Sequence, residues 1–308
     1  MIGVLAGFSV IGVVIALGWV VQRFQVLGEN AQYVLTRLVF SVGTPCMLFA
    51  TISASHLHQV LGPPLVIQAL SVLVCWAVYL TFSALDRRQQ WGAGTVIGCL
   101  STSYVNAGNL GIPIATFVLG DAAQVAPILL LQLAIITPLA MTALDLLTSS
   151  GTSLRTTVRH VLMNPVLIGC LAAVVVLVLG WKVPTIVLQP IQLLAGIAVP
   201  GALLTFGMSI ATERPFQDRS VLPKLGFVGA IKLIVQPVAA FLIASLLFGA
   251  AGHVLFSSVV MAALPTAQNV FNYASRYGVG TGLARDVGLL TTIGAVPVLI
   301  VIALLLAA

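Results

Sequence analysis

Apolar residues run along this chain in long blocks, not in the alternation of a half-buried strand. Ten blocks can be drawn, at approximately 2–22, 33–53, 63–83, 93–119, 124–147, 161–180, 186–211, 223–248, 253–275 and 282–306. Most approach the ~20 residues that a helix needs to cross a hydrocarbon core. The pattern predicts an all-α membrane protein of ten transmembrane helices. The first block has no basic n-region, since its first charge, Arg23, lies behind it, and further blocks follow. It therefore reads as a helix and not as a signal peptide.

Two blocks are poor continuous helices. The fourth holds Tyr104-Val105-Asn106-Ala107-Gly108-Asn109-Leu110-Gly111-Ile112-Pro113, and the ninth holds Leu264-Pro265-Thr266-Ala267-Gln268-Asn269-Val270-Phe271-Asn272. Proline removes a backbone donor and clashes with the preceding turn, glycine loosens the backbone, and asparagine bonds to freed backbone groups. Broken backbone at membrane depth must line protein or a water-filled cavity, because unsatisfied peptide groups cannot face lipid. The two breaks hold corresponding places in what reads as a duplicated chain. Leu17-Gly18-Trp19 closes the first block and Leu179-Gly180-Trp181 the sixth, while Pro45 and Pro200 mark the second and seventh. The predicted organisation is a first repeat over 1–150 (helices one to five), a short cytoplasmic linker at 151–160, and a second repeat over 161–308 (helices six to ten). Five helices per half is an odd number, so the halves would be inserted in opposite orientations, a five-plus-five inverted repeat of the kind common among secondary transporters. Pro45 with Gly43 and Pro200 with Gly201 read either as kinks or as plain packing positions.

Charge sharpens the topology. Of 308 residues 60% are hydrophobic and only 6% charged, too few to cover a soluble domain. The loops after odd-numbered blocks, together with the opening residues of the block that follows, hold Arg23, Arg37, Arg87, Arg88, Arg155, Arg159, Arg214, Arg219, Lys224, Arg276 and Arg285, whereas the loops after even-numbered blocks hold only Lys182. Basic residues in short loops stay cytoplasmic, so both termini are expected on the outer side of a cytoplasmic membrane. The net charge of +6 is spread over loops and is not interleaved with aromatics, which argues against nucleic acid.

Lys232 lies about ten residues inside the eighth block. An intramembrane charge marks a functional position. Three roles compete: attracting an anionic substrate, titrating, or bracing the broken helices in place of a bound cation. The plain alternative is a lysine bonded to backbone carbonyls. Glu29, Asp86, Asp121, Asp145, Glu213, Asp218 and Asp286 all fall in loops or near helix ends, with Asp145 the deepest. A relay of central carboxylates is not expected, and neither is an aspartyl protease. His56, His58, His160 and His253 sit at span ends, so a buried Ser/His pair is not expected either, and no His-Glu-x-x-His run occurs. The chain therefore does not read as an enzyme. Cys46, Cys75, Cys99 and Cys170 all fall in apolar blocks without metal-site spacing and read as small buried hydrophobes. No metal site and no cofactor are expected.

A helix break exposes half-helix ends near the midplane. The N–H groups at an N-terminal end carry partial positive charge and can hold a carboxylate without a full cation, and asparagine adds neutral donors and acceptors. The candidate substrate-binding residues are accordingly Asn106, Asn109, Gly111, Pro113, Pro265, Thr266, Asn269 and Asn272, with Lys232 as a coupling or bracing group.

At these segments the sequence resembles the auxin efflux carrier family, which includes bacterial carriers and plant auxin transporters of the PIN type. The resemblance covers nearly the whole chain and is sharpest at Asn106 with Gly111-Ile112-Pro113, at Asn164-Pro165, and at Ala262-Ala263-Leu264-Pro265 with Ala274 and Tyr277. It implies helices four and nine crossing at their broken centres, and a scaffold bundle and a transporter bundle that move as an elevator. It also implies that positions matching Asn106 and Asn164 handle a substrate carboxylate. Asn164 joins the candidate site on that ground alone. Small carboxylates such as malonate or malate are the substrates associated with bacterial members, and a homodimer is suggested by the same analogy. The expected function is a secondary transporter of a small organic anion in a bacterial inner membrane, with the lipid bilayer and the carboxylate as its partners. The alternatives are an importer of another solute, such as an amino acid or an auxin-like aromatic acid, coupled to H+ or Na+, and a membrane receptor that moves nothing.

Overall fold

The computed structural model describes residues 2–56, 60–85, 91–148, 159, 162–212 and 222–306. His58, Asp86, Arg87, Arg88, Arg155, His160, Glu213, Arg214, Asp218, Arg219 and nearly all of the 151–160 linker lie outside the described residues. The described chain is almost wholly helical. By length and apolarity six of its helices can cross a membrane, and Ser9–Arg23, Pro165–Val178 and Gly252–Ala262 are shorter apolar helices.

The chain divides into two compact units. Unit 1 holds Met1–Gly62, Ala107–Leu130 and Leu162–Glu213; unit 2 holds Pro63–Asn106, Leu131–Val161 and Arg214–Ala308.

Unit 1 is built from α1 (Ile2–Arg23), α2 (Ala31–Ser53), α5 (residues 107–117), the first part of α6 (Ala122–Thr148), α7 (Pro165–Val178), α8 (Thr185–Ala195) and α9 (Ala198–Thr212). Small residues let its backbones approach closely, the usual packing device where lipid is as apolar as the side chains. A Cβ on Gly18 of α1 would run into the Leu204 carbonyl of α9, and one on Gly207 of α9 into the Ile15 carbonyl of α1. Between α2 and α7, a Cβ on Gly169 would lie 2.7 Å from the Pro45 carbonyl oxygen. Gly43 faces the Ala198 backbone, and Gly201 faces the Val39 side chain. Gly43, Pro45 and Gly201 are thus packing positions, whereas Pro200 is exposed; Pro45 follows a π turn and Pro200 the turn between α8 and α9.

Unit 2 is built from α3 (Pro63–Leu85), α4 (Ala93–Ser103), the remainder of α6, α10 (Lys224–Leu247), α11 (Gly252–Ala262), α12 (Gln268–Tyr277) and α13 (Thr281–Leu306). Cys75, Tyr79, Leu225, Val228, Ile231, Leu283 and Val287 form one buried cluster, and Ile67, Ala240, Ala244 and Ala262 another. Asp286 is fully buried five residues into α13, more deeply than Asp145 at 9% exposure, and accepts from Arg285 Nε at 2.8 Å. Its burial is not legible in the sequence, where the adjacent arginine and the nearby turn give it the look of a solvated helix end.

A local rule governs four of the five π turns among the described residues; Ile243–Leu247 is the one that no proline follows. Wide π turns at Val39–Gly43, Ala107–Gly111, Leu131–Ile136 and Ile231–Val235 each end two residues before a proline, namely Pro45, Pro113, Pro138 and Pro237. A proline cannot donate to the carbonyl four residues back and its ring crowds that carbonyl. Widening the turn relieves the clash and lets a neighbouring N–H take over part of the pairing, which keeps the helix usable inside a membrane.

Candidate functional site: the crossing of two broken segments

The fourth and ninth apolar blocks do not run as single helices. In unit 2, α4 ends at Ser103 and passes into the extended Tyr104, and α11 ends at Ala262 and reaches Thr266 and the extended Ala267 after a turn at Ala263. These extended pieces meet as a short antiparallel pair, with Val105 opposite Thr266. The Asn106 N–H donates to the Pro265 carbonyl at 2.8 Å, and the Ala267 N–H donates to the Tyr104 carbonyl at 2.9 Å. Peptide groups freed by one break are therefore satisfied by the other. The rest of the pairing comes from side chains. Gln132 Nε2 donates to the Val105 carbonyl at 3.0 Å, and the Thr266 hydroxyl to the Ser101 carbonyl at 2.7 Å. The Thr266 N–H in turn donates to Thr291 Oγ1 at 3.0 Å.

The helix ends are treated unequally. The two C-terminal ends are occupied by donors: Lys232 Nζ donates to the Ala262 carbonyl at 2.9 Å, and Gln236 Nε2 to the Ser103 carbonyl at 3.1 Å. Lys232 also donates to Gln236 Oε1 at 2.5 Å, and both residues are fully buried. At the other end of the break, α12 starts behind Ala267, whose side chain offers no cap. The first N–H groups of a helix have no intrahelical partner. Cations and donors thus stand at the negative ends of the half-helix dipoles, and a positive end opens from the crossing. Beside it the Tyr104 hydroxyl meets Thr137 Oγ1 at 3.0 Å and lies among the side chains of Tyr273 and Asn269, with the Tyr104 and Tyr273 rings edge to face at 6.2 Å.

The residues singled out from sequence fall into two groups. Asn106, Pro265, Thr266 and, through Ala262, Lys232 come together at the crossing; Asn269 lies in the first turn of α12 and Asn272 is exposed one turn further on. Asn109, Gly111 and Pro113 belong to α5 of unit 1, because the division between the units falls between Asn106 and Ala107. Asn164, also in unit 1, caps α7: its Oδ1 accepts from the Val166 N–H at 3.0 Å and from the Leu167 N–H at 3.2 Å. Gln132, Gln236 and Thr291 went unnoticed in the sequence. The available signal was a glutamine inside an apolar block, and for Gln236 a spacing of four from Lys232, which puts both on one helix face. Tyr277, part of the sequence resemblance, donates to Asp145 Oδ1 at 2.6 Å. An apolar cavity of about 560 Å³, lined by residues such as Leu233, Phe241, Val298 and Val301, carries no group that could orient an anion.

A family profile described as membrane transport protein matches residues 8–155 and 148–303, nearly the whole chain. The chain belongs to this family, that of the auxin efflux carriers. It is a multi-pass membrane transporter and not an enzyme. A protein of Rhizobium meliloti (strain 1021) named "Putative malonate transporter" is 24% identical over 288 residues, which cover 91% of this chain and 88% of that protein. An "Uncharacterized transporter" of Methanothermobacter thermautotrophicus is 26% identical over 237 residues, 74% of each chain. The exposed apolar side chains of this carrier, Leu193 and Leu246 at 80% among them, belong against lipid tails in such a protein.

Proposed function

We propose that this carrier is a secondary transporter of a small mono- or dicarboxylate of the malonate or malate type in a bacterial cytoplasmic membrane. The observation that carries the reading is the unequal treatment of the helix ends at the crossing. Donors occupy the two C-terminal ends, while α12, whose Val270 N–H already pairs with the Ala267 carbonyl, begins with the Gln268 and Asn269 N–H groups, shortly beyond Pro265, the partner of the Asn106 N–H. A carboxylate placed there gains hydrogen bonds and a favourable dipole without meeting a full positive charge, so it can also leave. The length of the likeness to a relative named for malonate supports the substrate class.

The transport cycle follows the elevator-type alternating access that the family resemblance implies. The underlying architecture is a ten-span inverted repeat over 1–150 and 161–308. In support, segments of both sequence halves enter each compact unit: spans one, two, six and seven contribute to unit 1, and three, eight, nine and ten to unit 2. Residues 107–130 depart from strict correspondence by joining unit 1.

The experiment is uptake of radiolabelled malonate into proteoliposomes holding the purified protein, with malate and an aromatic acid as competitors. Malonate should accumulate and malate should compete. Asn106→Ala should weaken apparent affinity about 10-fold or more, the scale of a lost hydrogen bond to a charged group. Binding without flux would identify a receptor. Flux of unchanged affinity in the variant would remove Asn106 from the site.

A further inference from the structure

We infer that the Lys232 ammonium is a tethered monovalent cation, seated by Gln236 in an oxygen-lined site at the crossing, where it takes the place of a free Na+. This deepens the transport reading, since it concerns the element on which that reading rests.

Both partners of the ammonium are neutral oxygens, the Ala262 carbonyl and Gln236 Oε1. Carbonyl and amide oxygens at the C-terminal end of an interrupted helix are the ligands that a hard monovalent cation takes in broken-helix transporters. Ala262 is the last residue of α11, so the charge also sits at the negative end of that half-helix dipole. Gln236 completes the arrangement. Its oxygen faces the ammonium and its NH2 group faces the Ser103 carbonyl, at the last residue of α4. A reversed amide would set N–H groups against the ammonium and an oxygen against a carbonyl, so the orientation is fixed by both partners. One cation and one amide, four residues apart on α10, thereby hold the ends of two half-helices that the antiparallel pair joins just beyond. Both side chains are at 0% exposure, so the charge does not exchange with solvent ions. Gln236 is a positioning residue here: it acts through Lys232 and the two helix ends.

Removing the lysine side chain should leave the oxygens in place around an empty volume, which a dehydrated Na+ can enter. The test is thermal unfolding of the purified full chain in lipid nanodiscs, without substrate, in NaCl against choline chloride at equal ionic strength. The wild type should melt at the same temperature in both salts. Lys232→Ala should melt lower in choline and recover several degrees in NaCl with saturation, a recovery that a merely space-filling lysine would not give. Lys232→Met, which keeps most of the volume without the charge, should melt below wild type in both salts. A saturable Na+ shift in the wild type, a Lys232→Ala melt indifferent to the cation, or a Lys232→Met protein as stable as wild type would each overturn the inference. Should neither variant yield folded protein, the wild-type comparison decides alone. With no substrate present, this outcome is separate from that of the malonate flux assay.

Discussion

Polar side chains inside this apolar chain have specific backbone work, and two asparagines show the range. Asn106 sits at the crossing, where its N–H is already committed to Pro265. Asn164 holds its oxygen on the Val166 and Leu167 N–H groups. A side chain so placed satisfies helix-end donors that nothing else on α7 reaches, and Pro165 behind it is at the first helical position, where proline lacks only an N–H that would be orphaned anyway. Asn164→Ala should therefore cost about 1 kcal/mol of stability. The readout is a lowered melting temperature, which Asn164→Ser, with a shorter but competent acceptor, should largely restore. If Asn164→Ala melts like wild type while malonate uptake falls, the asparagine serves the cargo and not the helix.

At the scale of elements, prolines and glycines set where helices bend and how near they come. Gly207 and Gly18 approach the partner backbone reciprocally, so there is no flexible side chain to move aside. Gly207→Val should push α1 and α9 apart and cost roughly 1–3 kcal/mol, the range for overpacked sites. Gly12→Ala on the same α1, where a Cβ meets nothing within 4 Å, should be neutral or slightly stabilising. Comparing the melting temperatures of the two variants checks the assignment, because a loss of helix flexibility alone would affect both alike. The repeat landmarks show how far the sequence could carry such detail. Gly18 and Gly180 look equivalent in the sequence, yet Gly18 is a close-contact position, whereas Gly180 takes φ +60° where the chain leaves α7. Periodicity and proline–glycine content made the helices and both breaks legible, since those signals are local. The donors that complete the crossing were not legible. Gln132 reaches Val105 across 27 residues and Gln236 reaches Ser103 across 133, and no local pattern records contacts of that range. Lys232 was the exception, because an isolated charge in an apolar block announces a partner without saying which one.

For the whole molecule, the question left by the fold is which way it faces. Eleven of its thirteen basic residues lie in the loops after odd-numbered spans or in the opening turns of the helix that follows, and the retention of such segments on the cytoplasmic side would orient every span at once. Under that rule Glu29, between α1 and α2, is cytoplasmic, and Lys182, between α7 and α8, is external. Both side chains are exposed. The four native cysteines can be replaced first, since Cys75 and Cys170 are buried and Cys46 and Cys99 are partly so. Single cysteines at the two positions then report the orientation. In intact cells a membrane-impermeant maleimide should label Lys182→Cys and spare Glu29→Cys, and permeabilised cells should label both. The reverse pattern would place both termini inside and would turn the half-helix end of α12 toward the opposite compartment. Labelling of both sites in intact cells would mean that the chain inserts in two orientations. In that case the charge asymmetry, concentrated in loops of only a few basic residues each, would be too weak to decide the topology.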